Sequence, residues 1–243
     1  MSLTDKIEIP RRTMVLFFVI DTSGSMDGSK IGAVNAAIEE VIPAIREVSD
    51  ENADAEIKIA AVEFSSGVHW ITSGGPIEAE KFKWNYLDAA GVTDFGAACK
   101  SLNEKLSTKA FMKEATGSFA PAIFLLSDGG PTDDWMSALA ELKKNNWFKA
   151  GIKVAIAIGD DADKDVLKEF TGSMEAVLET HNAAMLKKMI KFVSVRASQV
   201  ASKSSNATGD DLGDEQKQQE LNDSLNEFQE DVAATPDNDQ SDW

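Results

Sequence analysis

The segment Asp21-Thr22-Ser23-Gly24-Ser25 sets a carboxylate and two hydroxyls in a D-x-S-x-S spacing, immediately after the apolar run Met14–Ile20. Carboxylate and hydroxyl oxygens are hard donors, the kind that Mg²⁺ prefers. Gly24 frees the backbone to turn so that both serine hydroxyls face the same point as Asp21. Two later oxygen donors have a similar loop or strand-end placement: Thr93 within Gly91-Val92-Thr93-Asp94, and Asp128 within Leu126-Ser127-Asp128-Gly129. Two carboxylates just neutralise one divalent ion, while neutral hydroxyls leave it electrophilic toward a third carboxylate. Taken singly, Asp21 and Asp128 would equally well cap neighbouring helices.

Such residues need strands to deliver them. Met14–Ile20, Ala120–Ser127 and Ile152–Ile158 are continuous apolar runs, as expected of central strands covered on both faces. Ile31, Val34, Ile38, Val41, Ile42, Ile45 and Val48 recur at helical spacing, and Pro43 is expected to kink that helix or open its last turns. Glu56–Phe64 and Val68–Thr72 read as strands joined in a hairpin at Ser65-Ser66-Gly67. Helices are expected over Phe95–Leu106, Asp134–Asn145, Asp165–Phe170 and Ala183–Ala197, and a short strand over Ala176–Leu178. This alternation predicts an α/β fold: a doubly wound, mainly parallel sheet with one antiparallel edge strand and helices on both faces. In such sheets ligands sit outside the carboxyl ends of the strands, near the topological switch point. Asp21 and Asp128 both end strands there.

The bulk composition narrows the partner classes. With 43% hydrophobic residues among 243, the chain can build a core without disulfides. Cys99 is the single cysteine, which fits a reducing compartment and a cytoplasmic location. A net charge of −17 argues against nucleic acid, whose phosphates demand clustered Lys and Arg. Residues 203–243 carry 12 acids against two bases, so −10 of the charge lies in the tail and −7 in the rest. Three regions follow: a loose leader over 1–10, one domain over 11–201, and an acidic tail over 202–243. The tail is expected to be disordered, with a transient helix over Gln216–Phe228. No apolar run is long enough to cross a membrane. Arg11-Arg12 before Met14–Ile20 is superficially like a twin-arginine signal, but the run is short and ends at Asp21, so a buried strand is the better reading.

The set Asp21, Ser23, Ser25, Thr93 and Asp128 resembles the metal-ion-dependent adhesion site of von Willebrand factor A domains, whose pattern is D-x-S-x-S, then Thr, then Asp. All five positions match in order, and the likeness extends over roughly residues 11–200. The resemblance implies one Mg²⁺ or Mn²⁺ per chain, held by the serines and threonine, with the aspartates acting directly or through water. It also implies an open position for a Glu or Asp of a protein partner. Arg11-Arg12, Ala157-Ile158-Gly159-Asp160-Asp161-Ala162-Asp163, Leu167-Lys168-Glu169-Phe170-Thr171-Gly172 and Phe192-Val193-Ser194-Val195 are similar to the bacterial TerY-like branch associated with tellurium resistance. That branch implies an intracellular scaffold or regulator in stress or phospho-signalling, with a neighbouring phosphatase or kinase as partner.

Other motifs point elsewhere or nowhere. Asp161-x-Asp163-x-Asp165 lacks the Gly and Glu of a calcium loop, since Val166 and Gly172 stand at those positions. It is read as helix capping and a solvated turn. Ser23 occupies the place where a phosphoaspartate enzyme would need its second Asp, and nucleotide-loop, zinc-protease and serine-hydrolase motifs are missing. His69 and His181, the two histidines, lie far in sequence from the metal loops. Cys99 is read as a small core hydrophobe. Trp135 is a candidate for the partner surface or for packing at a helix start, and Trp70, Trp84 and Trp147 for packing. The chain is therefore read as a metal-dependent interaction module and not an enzyme. The alternatives are a metal-dependent hydrolase or phosphatase, and a secreted adhesin of the same fold.

Overall fold

The structure is a computed structural model and describes residues 11–53, 55–113, 117–201 and 212–234. The 1–10 leader lies outside them, as do both ends of the tail.

The central strand β1 (Arg12–Asp21) is buried along nearly its whole length, because both of its faces carry large apolar side chains. Met14, Leu16, Phe18 and Ile20 pack into one cluster with helices α1 (Ser29–Glu51) and α6 (Ala183–Ala201). Val15, Phe17 and Val19 point the other way, toward α2 (Phe95–Lys105), α3 (Trp135–Leu142) and α5 (Lys164–Thr171). The period-two alternation of a strand thus feeds two separate cores, one on each side of the sheet.

Strands β2 (Ala55–Ser65) and β5 (Ala122–Ser127) flank β1 in parallel, and β6 (Ile152–Ile158) and β7 (Val177–Thr180) extend the sheet beyond β5. Strand β3 (Gly67–Trp70) closes the far edge antiparallel to β2, through the Ser65–Gly67 hairpin expected from the sequence. A two-residue strand β4 (Ile77–Glu78) pairs with β2 lower down, also antiparallel, and was not visible as a pattern. The order β3-β2-β1-β5-β6-β7 reverses direction between β1 and β5. In that register Ile20 lies opposite Leu126, so Asp21 ends level with Ser127, one residue before Asp128.

Several local expectations are corrected. Helix α1 runs unbroken past Pro43 to Glu51. Pro43 is on the exposed side, where water can serve the carbonyl freed at Glu39. The helix expected over Asp134–Asn145 is shorter, α3 ending at Leu142, and a second helix not expected from the sequence, α4 (Asn146–Ala150), follows it. Asn145 starts the second by accepting bonds from the amides of Trp147 and Phe148. Arg11 and Arg12 are clamps: Arg11 Nη1 donates to the carbonyls of Ser49 and Asn52 at the end of α1, and Arg12 stacks on Phe119 at 4.0 Å.

The largest correction concerns the tail. Within the segment expected to be disordered with a transient helix over Gln216–Phe228, a longer helix, α7 (Leu212–Ala234), contains that stretch and docks on the domain. Leu221 and Leu225 are fully buried, and Phe228 stacks on Phe192 with ring centres 4.3 Å apart. These three residues recur at i, i+4 and i+7, a narrow apolar stripe that bulk composition conceals. The Gln218 side-chain amide adds two bonds to the backbone of Lys153, accepting at 2.9 Å and donating at 3.3 Å. Among the described residues no helix is long and apolar enough to cross a membrane.

Candidate metal centre

Asp21 is the innermost member of the candidate set, fully buried at the end of β1. Its Oδ1 accepts the Ser23 amide at 2.8 Å, and its Oδ2 accepts the Ser127 hydroxyl at 2.6 Å. Neither bond caps a helix, so the capping alternative does not describe this residue. Burial pushes the Asp21 carboxyl above its ordinary pKa; the bonds from Ser127 and Ser23 oppose that rise, and the nearby Asp128 charge adds to it. A carboxylate held where its charge is undercompensated is one that a cation would stabilise.

The remaining donors arrive on loops that are tied together through their backbones. The Ser23 and Ser25 hydroxyls face each other at 3.1 Å. The Gly24 amide donates to Gly91 O at 3.0 Å, and the Ala90 amide donates to Thr22 O at 2.8 Å, which joins this turn to the Thr93 loop. A side chain at position 24 would press to 3.2 Å against that Gly91 oxygen, so glycine lets the two loops meet. The Thr93 loop is stitched onward to the loop beyond Asp128. The Thr132 amide donates to Thr93 O at 2.9 Å, and the Thr93 amide donates to Thr132 Oγ1 at 3.2 Å. Because the Thr93 backbone makes those bonds, its nearly buried side-chain hydroxyl is not needed to hold the loop.

Asp128, 5% exposed, follows β5 and pairs with Lys30 Nζ at 3.3 Å. The same ammonium lies 3.1 Å from Asp161 Oδ1 in the loop after β6. Burial works against the charge on Lys30, but the two carboxylates outweigh it and leave its pKa raised. The structure therefore brings all five candidate donors to neighbouring, cross-tied loops at the carboxyl edge of the sheet. Among the described residues no three His, Cys, Asp or Glu side chains converge. The candidate set is instead two carboxylates and three hydroxyls, oxygen donors of the kind a hard cation takes.

Four supporting residues escaped the sequence reading. Ser127 donates to Asp21 and accepts the Gly129 amide at 2.7 Å, tying the two aspartate-bearing strands at their ends. Its signal was present, as a polar residue closing an apolar strand. Asp133 accepts the Gly96 and Ala97 amides, so α2 is capped by a carboxylate from another loop. Thr132 and Lys30 had no local signal at all. Asp163 caps α5 through the Val166 amide, in keeping with the solvated-turn reading of that acidic segment. Trp135 is half-buried against Phe95, whereas the neighbouring Met136 and Val92 are the exposed apolar residues on these loops. His69 pairs with Glu63, and His181 lies beside Asp160.

Comparison with known proteins agrees with the architecture. No functionally curated protein matches the chain in sequence. Among solved structures, a von Willebrand factor type A protein from Catenulispora acidiphila superposes with a TM-score of 0.55 at 17% identity, over 77% of this chain and 43% of that one. The pilus adhesin SpaC from Lactobacillus rhamnosus GG gives 0.60 at 14% identity, over 78% and 30%. Proximal thread matrix protein 1 from the mussel byssus, with a zinc-occupied MIDAS motif, gives 0.56 at 15% identity, over 77% and 48%. The chain thus spans less than half the length of each, and at these identities the likeness is one of fold. The model of the von Willebrand factor type A domain matches residues 16–192, and the chain belongs to that family.

Proposed function

We propose that this protein is a divalent-metal-dependent protein–protein interaction module, not an enzyme. The observation that carries this reading is the buried, undercompensated Asp21, joined through cross-tied loops to three hydroxyls and to Asp128. Asp21, Ser23, Ser25, Thr93 and Asp128 would hold one Mg²⁺ or Mn²⁺. A bound cation would supply an electrophilic point for a Glu or Asp of a partner. Exposed Val92 and Met136 offer apolar contact on the same loops. Hydrolysis would need a general base beside the donors, and both histidines are engaged by acids elsewhere. As part of the same proposal, the resemblance of Arg11-Arg12 and the Ala157–Asp163 segment to TerY-like proteins supports a role inside a bacterial cell, in a stress or phospho-signalling system with a phosphatase or kinase as partner.

The test is calorimetry and thermal melting with Mg²⁺ and with Mn²⁺. One ion should bind per chain, adding about 2.7 kcal/mol of stability at a hundredfold excess over Kd. Asp21→Ala and Asp128→Ala should keep the fold and lose the binding. Equal binding by those variants would place the ion elsewhere.

A further inference from the structure

Lys30 occupies the second position of α1, where the helix dipole disfavours a cation. It is nevertheless drawn in to 13% exposure by carboxylates from two other loops, Asp128 at 3.3 Å and Asp161 at 3.1 Å. The backbone makes room for it. Gly159 has φ of +95°, and a Cβ there would stand 2.7 Å from Lys30 Cε and 2.8 Å from Nζ. The two acids differ in setting: Asp128 is buried in the candidate metal centre, whereas the Asp161 side chain is 76% exposed and outside it.

We propose that Lys30 is a tethered competitor for the metal, closing the metal-free site by pairing with Asp128 and withdrawing onto Asp161 when a divalent ion takes that carboxylate. The proposal rests on the metal-binding reading above and adds a threshold to it. Without Lys30, the buried Asp128 would lose its paired ammonium in the metal-free state, next to an Asp21 whose charge burial already disfavours, and the pair would attract any cation. With it, a divalent ion must displace an ammonium that is already in place. Asp161 lowers that barrier by giving the ammonium somewhere to go.

The consequences have opposite signs at the two ends of the pair. Lys30→Met should tighten Mn²⁺ binding about tenfold, the effect of removing one unit charge a few ångströms away under near-aqueous screening. It should also lower the melting temperature of the metal-free protein, so the Mn²⁺-induced shift widens. Asp161→Asn, at an exposed position, should weaken Mn²⁺ binding about threefold, because the ammonium then has only Asp128. In the Lys30→Met background the Asp161→Asn change should lose most of its effect, since salt screens an exposed charge acting through space.

Isothermal titration with Mn²⁺ on the full chain and these three variants, with melts in chelator and in Mn²⁺, decides the matter. A purely structural ion pair would lower both melts equally and leave Kd unchanged, which overturns the proposal but not the metal site. Unchanged affinity in Asp161→Asn would overturn it as well, even if Lys30→Met failed to fold. If wild type and Lys30→Met both fold and neither binds Mn²⁺, the proposal and the metal reading fall together.

Discussion

Replacing Ser127 by Ala isolates the support of the metal centre from the centre itself, because Ser127 is not among the five candidate donors. Two buried bonds disappear, the 2.6 Å donation to Asp21 and the 2.7 Å acceptance from the Gly129 amide. A bond to a charged acceptor contributes about 1.5–3 kcal/mol, and a neutral one about 1 kcal/mol. The expected loss in metal-free protein near neutral pH is therefore about 2–4 kcal/mol, or roughly 5–15 °C in Tm for a domain of this size. The loss should depend on pH in a definite direction. Burial already raises the Asp21 pKa, so the stability associated with its neutral form is present below the ordinary carboxylate pKa and fades as pH rises through the folded value. Removing the Ser127 donor raises that value further, which deepens the penalty at neutral pH. In acid, where Asp21 is protonated in both proteins, the difference should shrink to about 1 kcal/mol. Ser118→Ala is the control, since the buried Ser118 hydroxyl has no hydrogen-bond partner among the described residues and its removal should cost no stability. The assay is thermal melting by circular dichroism in chelator at neutral pH and at a pH close to the ordinary carboxylate pKa, where a raised Asp21 is protonated. If Ser127→Ala costs no more than Ser118→Ala, or costs the same at both pH values, the argument about Asp21 fails.

Three further outcomes follow from particular contacts. Leu225→Ala should destabilise the protein by about 2–4 kcal/mol, capped by the free energy at which α7 undocks, and hydrogen exchange should quicken along α6; a wild-type melt would mean that α7 contributes nothing to the domain. Gly129→Ala should cost more than about 1 kcal/mol, because φ is +80° and the new Cβ would lie 2.7 Å from Asp163 O, and a melt within error of wild type would contradict it. Cys99, whose thiol burial pushes up to about 12, should resist alkylation at pH 8 in the folded chain and react at once in denaturant.

How much of this was legible in the sequence depended on whether a residue's role is local or relational. Asp21 through Ser25 could be read because donors packed into five positions after an apolar strand are constrained by that strand's own end. Asp128 could be read because a second apolar run stops there, and a parallel sheet aligns such ends. Lys30 could not: in sequence it is an ordinary lysine in a first turn, and its meaning comes from carboxylates 98 and 131 residues away. Ser127 lay between these cases, visible as the polar end of an apolar strand but linked to Asp21 only through the register of β1 and β5.

The tail shows a different failure, one of averaging. Composition over 202–243 is acidic and poor in large apolar residues, and the mean argues for disorder. Docking does not depend on the mean. Leu221, Leu225 and Phe228 need only share one face of a helix, and the acids can then occupy the other faces in water. The fully packed side of that helix meets α6 and the start of β6, and Gln218 reads the Lys153 backbone there as a neighbouring strand would. A strongly charged helix of this kind docks only if its few apolar residues are all in register. Shifting the Leu221–Leu225 pair by one position, with composition unchanged, should therefore release α7 as effectively as deleting it.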